Sequence, residues 1–288
     1  MPAHPSHRAW DLAVFLALAL GPSWIIWEIF MAHGWTPGDD RFPLTVLAAA
    51  FCPAMATVVV RLWVTREGFA DAGLAVRLGS AKARRWYLAA WLWPLPVALA
   101  VLVLAGLTGL AEPDWALRAG AGTPREPWEA LAYNLAMAVP ASIVLFGEEF
   151  GWRGWLQGRL LPEHPLADAA LTGIIWSAWH APLILRGYDY PQHPVAGLAV
   201  FTAVAVLVSV ILGRIRQESG SVWAVCLGHG AVNTVGLGTT NLAFAPEAPE
   251  LWVSFVGILA LAPLAAMAAW FGKKLRPWQG SGTAREAI

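Results

Sequence analysis

The chain alternates between long apolar runs and short polar connections in which Pro and Gly cluster. Each run is close to or above the roughly 20 residues that an α-helix needs to cross a bilayer. No repeat or low-complexity tract divides the sequence, so we expect a single membrane domain over residues 1–288. The pattern predicts an all-α polytopic protein with eight transmembrane helices, at 10–31, 43–65, 86–111, 129–152, 166–185, 195–213, 220–241 and 250–272.

The positions of Lys and Arg predict the orientation of these helices. Fifteen of the 19 basic residues fall before the first run, after the last run, or at the same ends of the runs between them. Cytoplasmic segments of membrane proteins carry such an excess of Lys and Arg. We therefore expect a cell-membrane protein with both termini in the cytoplasm, and an even number of spans agrees with this.

The composition limits the partners. Hydrophobic residues make up 58% of the chain and charged residues only 13%, against about 25% charged in a soluble domain. The formal net charge is +0 and no basic domain or recognition motif occurs, which argues against nucleic acid. The expected partners are the lipid bilayer and a membrane-associated peptide or protein, and the oligomeric state stays open. Cys52 and Cys226 lie in apolar runs and are expected to pack as small hydrophobic residues.

The basic segment 66–85 separates the second and third spans and is sparsely apolar. It could lie on the inner surface as an interfacial helix that is attracted to anionic lipid. A plain cytoplasmic loop fits the same residues equally well.

A charged cluster, Glu148, Glu149 and Arg153, follows the apolar stretch of the fourth span. Ionisable residues inside a membrane are costly and are functional by default. Glu149 and Arg153 are four residues apart with the acid first, so on a helix they share a face and can pair. Glu148 is rotated by about 100° from Glu149 and points elsewhere. A carboxylate without its own arginine suits a general base that takes a proton from water, although a purely structural charge knot is the alternative.

Two later apolar runs each carry a polar pair with four-residue spacing, Trp176 with His180 and His229 with Asn233. Alone, each histidine could be a hydrogen-bonded core residue. The glycines that flank His229, together with Gly147 and Gly151 in the fourth span, allow neighbouring helix backbones to approach closely. An imidazole and an Asn amide can donate hydrogen bonds to a developing oxyanion.

In this order on three spans, the motifs Glu-Glu-xxx-Arg, aromatic-xxx-His and His-xxx-Asn resemble those of the CPBP family. This family comprises the CAAX prenyl proteases and the bacteriocin-processing (Abi) intramembrane proteases. The resemblance covers about residues 129–241, the expected catalytic core. One departure is visible, because Trp176 stands where the family has Phe. The larger ring keeps an aromatic wall and puts the size of the pocket in question.

The resemblance implies that the protein hydrolyses a peptide bond within the membrane. Glu148 and His180 would activate water, and His229 and Asn233 would stabilise the oxyanion. Glu149, Arg153 and Trp176 would support the site. Family members are often described as metalloproteases, and His180, His229 and Glu148 could supply the three ligands of a catalytic zinc. The same residues could work without metal as a glutamate-dependent site.

Two other interpretations come from different functional classes. A proton- or ion-coupled transporter could use the Glu and His cluster as a relay, but no inverted repeat is evident. A catalytically silent scaffold would not need intact motifs. For an enzyme, we expect Glu148, His180 and His229 to converge on one cavity that opens towards the cytoplasmic half of the membrane.

Overall fold

In the computed structural model, residues 5–119 and 126–278 are described, and in these two ranges the protein is helical with no β-strand. Several helices begin at a proline, which lacks the N–H group that a first turn leaves unbonded. The α-helices are α1 (Pro5–Ala32), α2 (Phe42–Ala50), α3 (Cys52–Val59), α4 (Ala81–Leu92), α5 (Pro94–Thr108), α6 (Pro127–Gly151), α7 (Pro165–Ile184), α8 (Pro194–Ser219), α9 (Val222–Ala231), α10 (Gly238–Ala243), α11 (Glu250–Val253) and α12 (Ile258–Gly272).

Three π-helical segments continue α-helices at their carboxyl ends. They are Val60–Val64 after α3, Trp152–Leu156 after α6 and Val232–Leu237 between α9 and α10. A π-turn is uncommon and is often found at functional sites. The second segment contains Arg153 and the third contains Asn233, so two of the three fall within the sequence motifs.

Helices cover all eight predicted segments, and six of these are long and apolar enough to cross a membrane: Arg8–Ala32, Phe42–Val64, Ala81–Thr108, Pro127–Leu156, Pro194–Ser219 and Glu250–Gly272. Two helical stretches fall short of that apolarity, α7 and the stretch from α9 to α10. These two carry His180, His229 and Asn233, so site residues reduce their apolar character. The multi-pass helical fold is confirmed, while eight crossings and the sides of the termini remain predictions.

Glycines bring the site helices together, as the sequence predicts. Gly147 and Gly151 of α6 lie directly against the backbone of Ala50 and Pro53, so a Cβ atom at either glycine would clash. Gly230 of α9 approaches the carbonyl of Ala138 in α6 in the same way. These contacts hold α6 between α3 and α9, with its charged cluster facing inward.

Most basic residues of the described ranges lie at one end of the bundle, the basic end: Arg8, Arg61, Arg66, Arg77, Lys82, Arg84, Arg85, Arg159, Arg214, Arg216, Lys273, Lys274 and Arg276. Segment 66–80 forms no helix, and α4 begins only at Ala81. The predicted interfacial helix is therefore wrong for residues 66–80. The segment is tied to the bundle because Arg61 donates to Asp71 at 2.8 Å and Arg159 pairs with Glu67 at 2.7 Å. Burial alone would raise the pKa of Asp71, but its bond to Arg61 lowers that pKa below the ordinary value.

The other end of the bundle, the distal end, carries few basic residues. Arg41, Arg118 and Arg186 are at this end, and each is paired with a carboxylate, of Asp39, Glu126 and Glu28 respectively. The connections 33–41, 185–193 and 244–249 meet here, since Phe42 contacts the ring of Tyr188 and the Gln192 N–H group donates to Glu250.

Candidate active site

The paired glutamates occupy the last turn of α6, where the charge is fully enclosed. Glu149 is 0% exposed and Arg153 is 1% exposed. The Nη1 group of Arg153 donates to both carboxylate oxygens of Glu149, at 2.7 and 2.9 Å. A buried ion pair of this kind needs several hydrogen bonds to offset its desolvation. The predicted pairing of these two residues is therefore present.

His229 joins the ion pair from the neighbouring helix α9. Its Nδ1 atom lies 2.8 Å from Oε1 of Glu149. A carboxylate oxygen only accepts, so the Nδ1–H group of His229 is the donor of this hydrogen bond. This bond fixes the orientation of the imidazole and leaves Nε2 as its free nitrogen. The Arg153–Glu149–His229 chain thus connects the first and third sequence motifs.

Glu148 is buried but makes none of these bonds. It receives one hydrogen bond, from the indole Nε1–H of Trp176 in α7, at 2.9 Å from Oε2. Among the contacts described for this residue, its second carboxylate oxygen, Oε1, has no protein donor. The two adjacent glutamates therefore have different surroundings, because Glu149 is held by a cation and Glu148 by a neutral indole.

Trp176 also stacks between the other members of the cluster. The guanidinium carbon of Arg153 lies 4.9 Å from its ring, within the range of a cation–π interaction. The ring of His229 meets it edge-on at 5.0 Å. The sequence predicted an aromatic wall at this position. It did not predict the hydrogen bond to Glu148, which phenylalanine could not make.

His180 lies one turn after Trp176 and is half-buried. Its Nδ1 atom is 3.1 Å from the carbonyl oxygen of Trp176, and since a carbonyl only accepts, Nδ1 is the protonated nitrogen. Nε2 is then a hydrogen-bond acceptor. Rings of Trp179 and Phe201 pack against the imidazole at centroid distances of 4.6 and 4.9 Å and limit its rotation.

Asn233 lies in the π-helical segment after α9, and its side chain is exposed to the cavity. Within the described ranges its amide makes no hydrogen bond to protein. The amide is therefore available to a bound molecule.

One cavity of about 990 Å³ brings the predicted site residues together. Glu148, Trp176, His180, His229 and Asn233 all line it, whereas Glu149 and Arg153 lie behind the lining. The sequence therefore predicts correctly which side chains meet in one cavity.

The cavity extends away from the basic end of the bundle. It does not open towards the basic end: its lining stops near Glu148 and His229, and beyond them the buried Trp152 and Arg153 fill the bundle. The lining extends instead to the three distal connections, through Pro37, Pro191 and Pro246. Ion pairs of Arg61 and Arg159 fasten segment 66–80 across the basic end.

Two carboxylates that the sequence did not single out line the distal part of the cavity, Asp189 and Glu250. Asp189 has a positive φ of 61°, a conformation that Asp tolerates better than most residues. Burial raises the pKa of Asp189 to about 7. Asp189, Glu250 and Glu148 are the three carboxyl groups of the described lining. The sequence signal for Asp189 was the tight Gly-Tyr-Asp turn before α8.

A catalytic zinc site needs three protein ligands close to one metal ion. Among the described residues, no three side chains of His, Cys, Asp or Glu lie close enough together to hold one. His180, His229 and Glu148 line the same cavity, and the described structure does not bring them into such a close group; their role as zinc ligands stays a prediction.

These features define a multi-pass membrane protein with an enclosed polar site inside its helix bundle. Residues 127–235 match the family described as type II CAAX prenyl endopeptidase Rce1-like. This segment contains all three motifs, and the match supports the resemblance found in the sequence. Over this segment the chain is similar to CAAX-type proteases. A search of curated proteins found no match.

We expect Trp176→Phe to lower kcat about tenfold or more with little change in KM. Phenylalanine keeps the aromatic wall but removes the donor to Glu148, and a hydrogen bond to a charged group contributes roughly 1.5–3 kcal/mol. The measurement is steady-state cleavage of a quenched peptide by the purified variant. Trp91→Phe is the matched control, because it removes an indole bond to the Leu135 carbonyl at 2.8 Å, away from the cavity. Equal kcat values in wild type and Trp176→Phe would contradict this role.

Proposed function

We propose that the protein is an endopeptidase that hydrolyses a peptide bond of a membrane-associated protein or peptide, with Glu148 and His180 activating water. The observation that carries the proposal is the contrast between the two adjacent glutamates. Arg153 and His229 both donate hydrogen bonds to the Glu149 carboxylate. Glu148 instead faces the cavity, and among its described contacts one carboxylate oxygen has no protein donor. A general base needs this freedom to contact water.

In the proposed reaction, the water oxygen attacks the carbonyl carbon of the scissile bond and one water proton passes to Glu148. Nε2 of His180 accepts a hydrogen bond from the same water and orients it. The carbonyl oxygen becomes an oxyanion, to which Asn233 and His229 donate. When the intermediate collapses, the C–N bond breaks and Glu148 returns the proton to the leaving nitrogen.

The part assigned to His229 carries a condition. The Nδ1–H group of His229 already donates a hydrogen bond to Glu149. The Nε2 atom can therefore donate to an oxyanion only when both ring nitrogens of His229 are protonated. Glu149 and Arg153 would orient this ring and take no part in bond breaking. The Asn233 amide does not titrate, so it can donate to the oxyanion whatever the protonation state of His229.

The transporter alternative gains no support from the family match, which is to a protease family. The lining of the cavity also ends at Glu148 and His229 in the described part of the chain. A relay would require polar side chains that continue from there to the basic end.

We expect Glu148→Gln to abolish processing while leaving the protein folded. The glutamine carbonyl can still accept the Trp176 bond, so the change removes only the base. Glu149→Gln is the matched variant one residue away. It should reduce membrane levels as well, because breaking a buried ion pair typically costs about 3–5 kcal/mol, and Nε and Nη2 of Arg153 already have no other partner in the described structure.

The measurement is a proteomic comparison of membranes from cells that carry wild type or either variant. A precursor should accumulate, and its cleaved form should disappear, with Glu148→Gln at normal protein level. Unchanged processing with Glu148→Gln would refute the assignment of the base. The precursor also provides the sequence of the quenched peptide for kinetics.

We expect zinc chelation to leave cleavage unchanged, since the donor set does not form a three-ligand group. The purified enzyme would be assayed with and without 1,10-phenanthroline, and its metal content measured by mass spectrometry. A thermolysin control would show that the chelator is active. Loss of cleavage, restored by added zinc, would instead establish the metalloprotease interpretation.

We expect Asn233→Ala to lower kcat by about 10²–10³ with little effect on KM, as for other oxyanion donors. Asn241→Ala is the control, because Asn241 also lines the cavity but lies at its distal part. A raised KM with preserved kcat would move Asn233 from the oxyanion to substrate binding.

A further inference from the structure

We propose that the first helix, α1, orients His180 of the active site, and that Ser23 is the positioning residue through which it does so. Ser23 holds the indole of Trp179, and this indole packs against the imidazole of His180. α1 lies outside residues 127–235, the segment that matches the protease family. The inference rests on the proposed function only for the part that His180 plays in activating water.

Trp179 is tied to α1 by both its side chain and its main chain. Its indole Nε1–H donates to Oγ of Ser23 at 2.8 Å, and its carbonyl accepts from the Nε1–H of Trp24 at 3.1 Å. Ser23 and Trp179 are both 0% exposed. The Ser23 hydroxyl donates its own proton to the Ala19 carbonyl at 2.8 Å, so it meets the indole as an acceptor. Two consecutive residues of α1 therefore fix the residue that precedes His180.

The bond to Ser23 distinguishes Trp179 from the other tryptophans around it. Trp179 meets Trp27 at 4.6 Å and Trp152 at 6.2 Å between ring centroids, and all three rings are 0% exposed. Within the described ranges, the indole N–H groups of Trp27 and Trp152 have no hydrogen-bond partner. Packing alone could fill this space. The bond to Ser23 adds a defined orientation for the ring of this cluster that contacts His180.

His180 needs such support because its own hydrogen bond is a modest restraint. Its Nδ1–H donates to the Trp176 carbonyl at 3.1 Å, while the χ2 torsion of a histidine has broad wells with nearly two-fold symmetry. Half a turn about χ2 would exchange Nδ1 with Cδ2 and move Nε2 away from the water. The Trp179 ring meets the imidazole at 88° with centroids 4.6 Å apart, and Phe201 adds a ring contact at 4.9 Å. Holding Trp179 therefore opposes this flip.

The first test is kinetic. Ser23→Ala leaves a buried indole N–H without its acceptor, which favours rotation of the Trp179 ring away from His180. We expect kcat to fall about three- to tenfold, with KM within about twofold of wild type, in the quenched-peptide assay. Ser142→Ala is the matched control and should keep the wild-type kcat. Ser142 is also buried, and its hydroxyl donates to the carbonyl four residues earlier in its own helix, that of Ala138, at 2.7 Å.

The second test observes the imidazole directly and does not need proteolysis. The full-length protein, with histidine labelled with ¹⁵N in the ring, is placed in lipid nanodiscs at about pH 8, where an ordinary imidazole is neutral. His180→Gln identifies the His180 signals among those of the seven histidines. We expect one Nδ1-protonated tautomer in wild type and Ser142→Ala, and a mixture of tautomers in Ser23→Ala. Unchanged His180 signals in Ser23→Ala would overturn the proposal.

A second pair of variants separates the hydrogen bond from packing and does not depend on the folding of Ser23→Ala. Trp179→Phe removes the donor of the bond, and Trp27→Phe makes the same change of volume in a neighbouring ring whose N–H has no described partner. Only Trp179→Phe should change the His180 signals. The variant that combines Ser23→Ala with Trp179→Phe should lose no more activity than Trp179→Phe alone. Equal changes in Trp27→Phe, or additive losses in the double variant, would assign the effect to packing and overturn the role of Ser23.

The inference and the proposed function can fail separately. A mixture of His180 tautomers in Ser23→Ala with an unchanged kcat would support the positioning by α1 and contradict the part of His180 in activating water. Unchanged His180 signals, together with processing lost in Glu148→Gln, would overturn the positioning and support the role of Glu148.

Discussion

The buried Arg153–Glu149–His229 chain is the interaction on which the site depends. Charge inside a bilayer is retained only when it is paired and hydrogen-bonded, and this chain satisfies the requirement with side chains from two helices. Its geometry fixes the rotation of α6 about its axis, and that rotation in turn directs Glu148 towards the cavity. Small residues make the arrangement possible, because only glycine at 147, 151 and 230 allows α3, α6 and α9 to approach this closely.

Much of the fold could be predicted from hydropathy. A helix that crosses a membrane satisfies its own backbone hydrogen bonds and is recognised in the sequence as a long apolar run. The same logic explains where apolarity is weakest. α7 and the α9–α10 stretch carry His180, His229 and Asn233. These polar residues lower the mean hydropathy by which a membrane span is recognised. The pairing of Glu149 with Arg153 was likewise predictable from four-residue spacing alone.

Other features could not be predicted because they depend on contacts between distant parts of the chain. The bond from Trp176 to Glu148 joins residues 28 apart on different helices. The direction of the cavity depends on how segment 66–80 folds over the basic end, which its composition left open. Asp189 looked like an ordinary turn residue, and only the cavity gives it a role. The motifs thus predicted which side chains share the cavity, while tertiary packing decided in which direction the cavity extends.

The π-helical segment after α6 separates two sets of contacts along this helix. A π-turn accommodates an extra residue, so the residues beyond it are rotated relative to a continuous α-helix. In α6 the glutamates lie before this offset, and the Trp155 and Arg159 side chains that bind Glu67 lie at or beyond it. The anchoring of segment 66–80 can therefore vary in sequence without turning the catalytic face. The offset lets one continuous helix direct the glutamates to the cavity and the Trp155 and Arg159 side chains to segment 66–80.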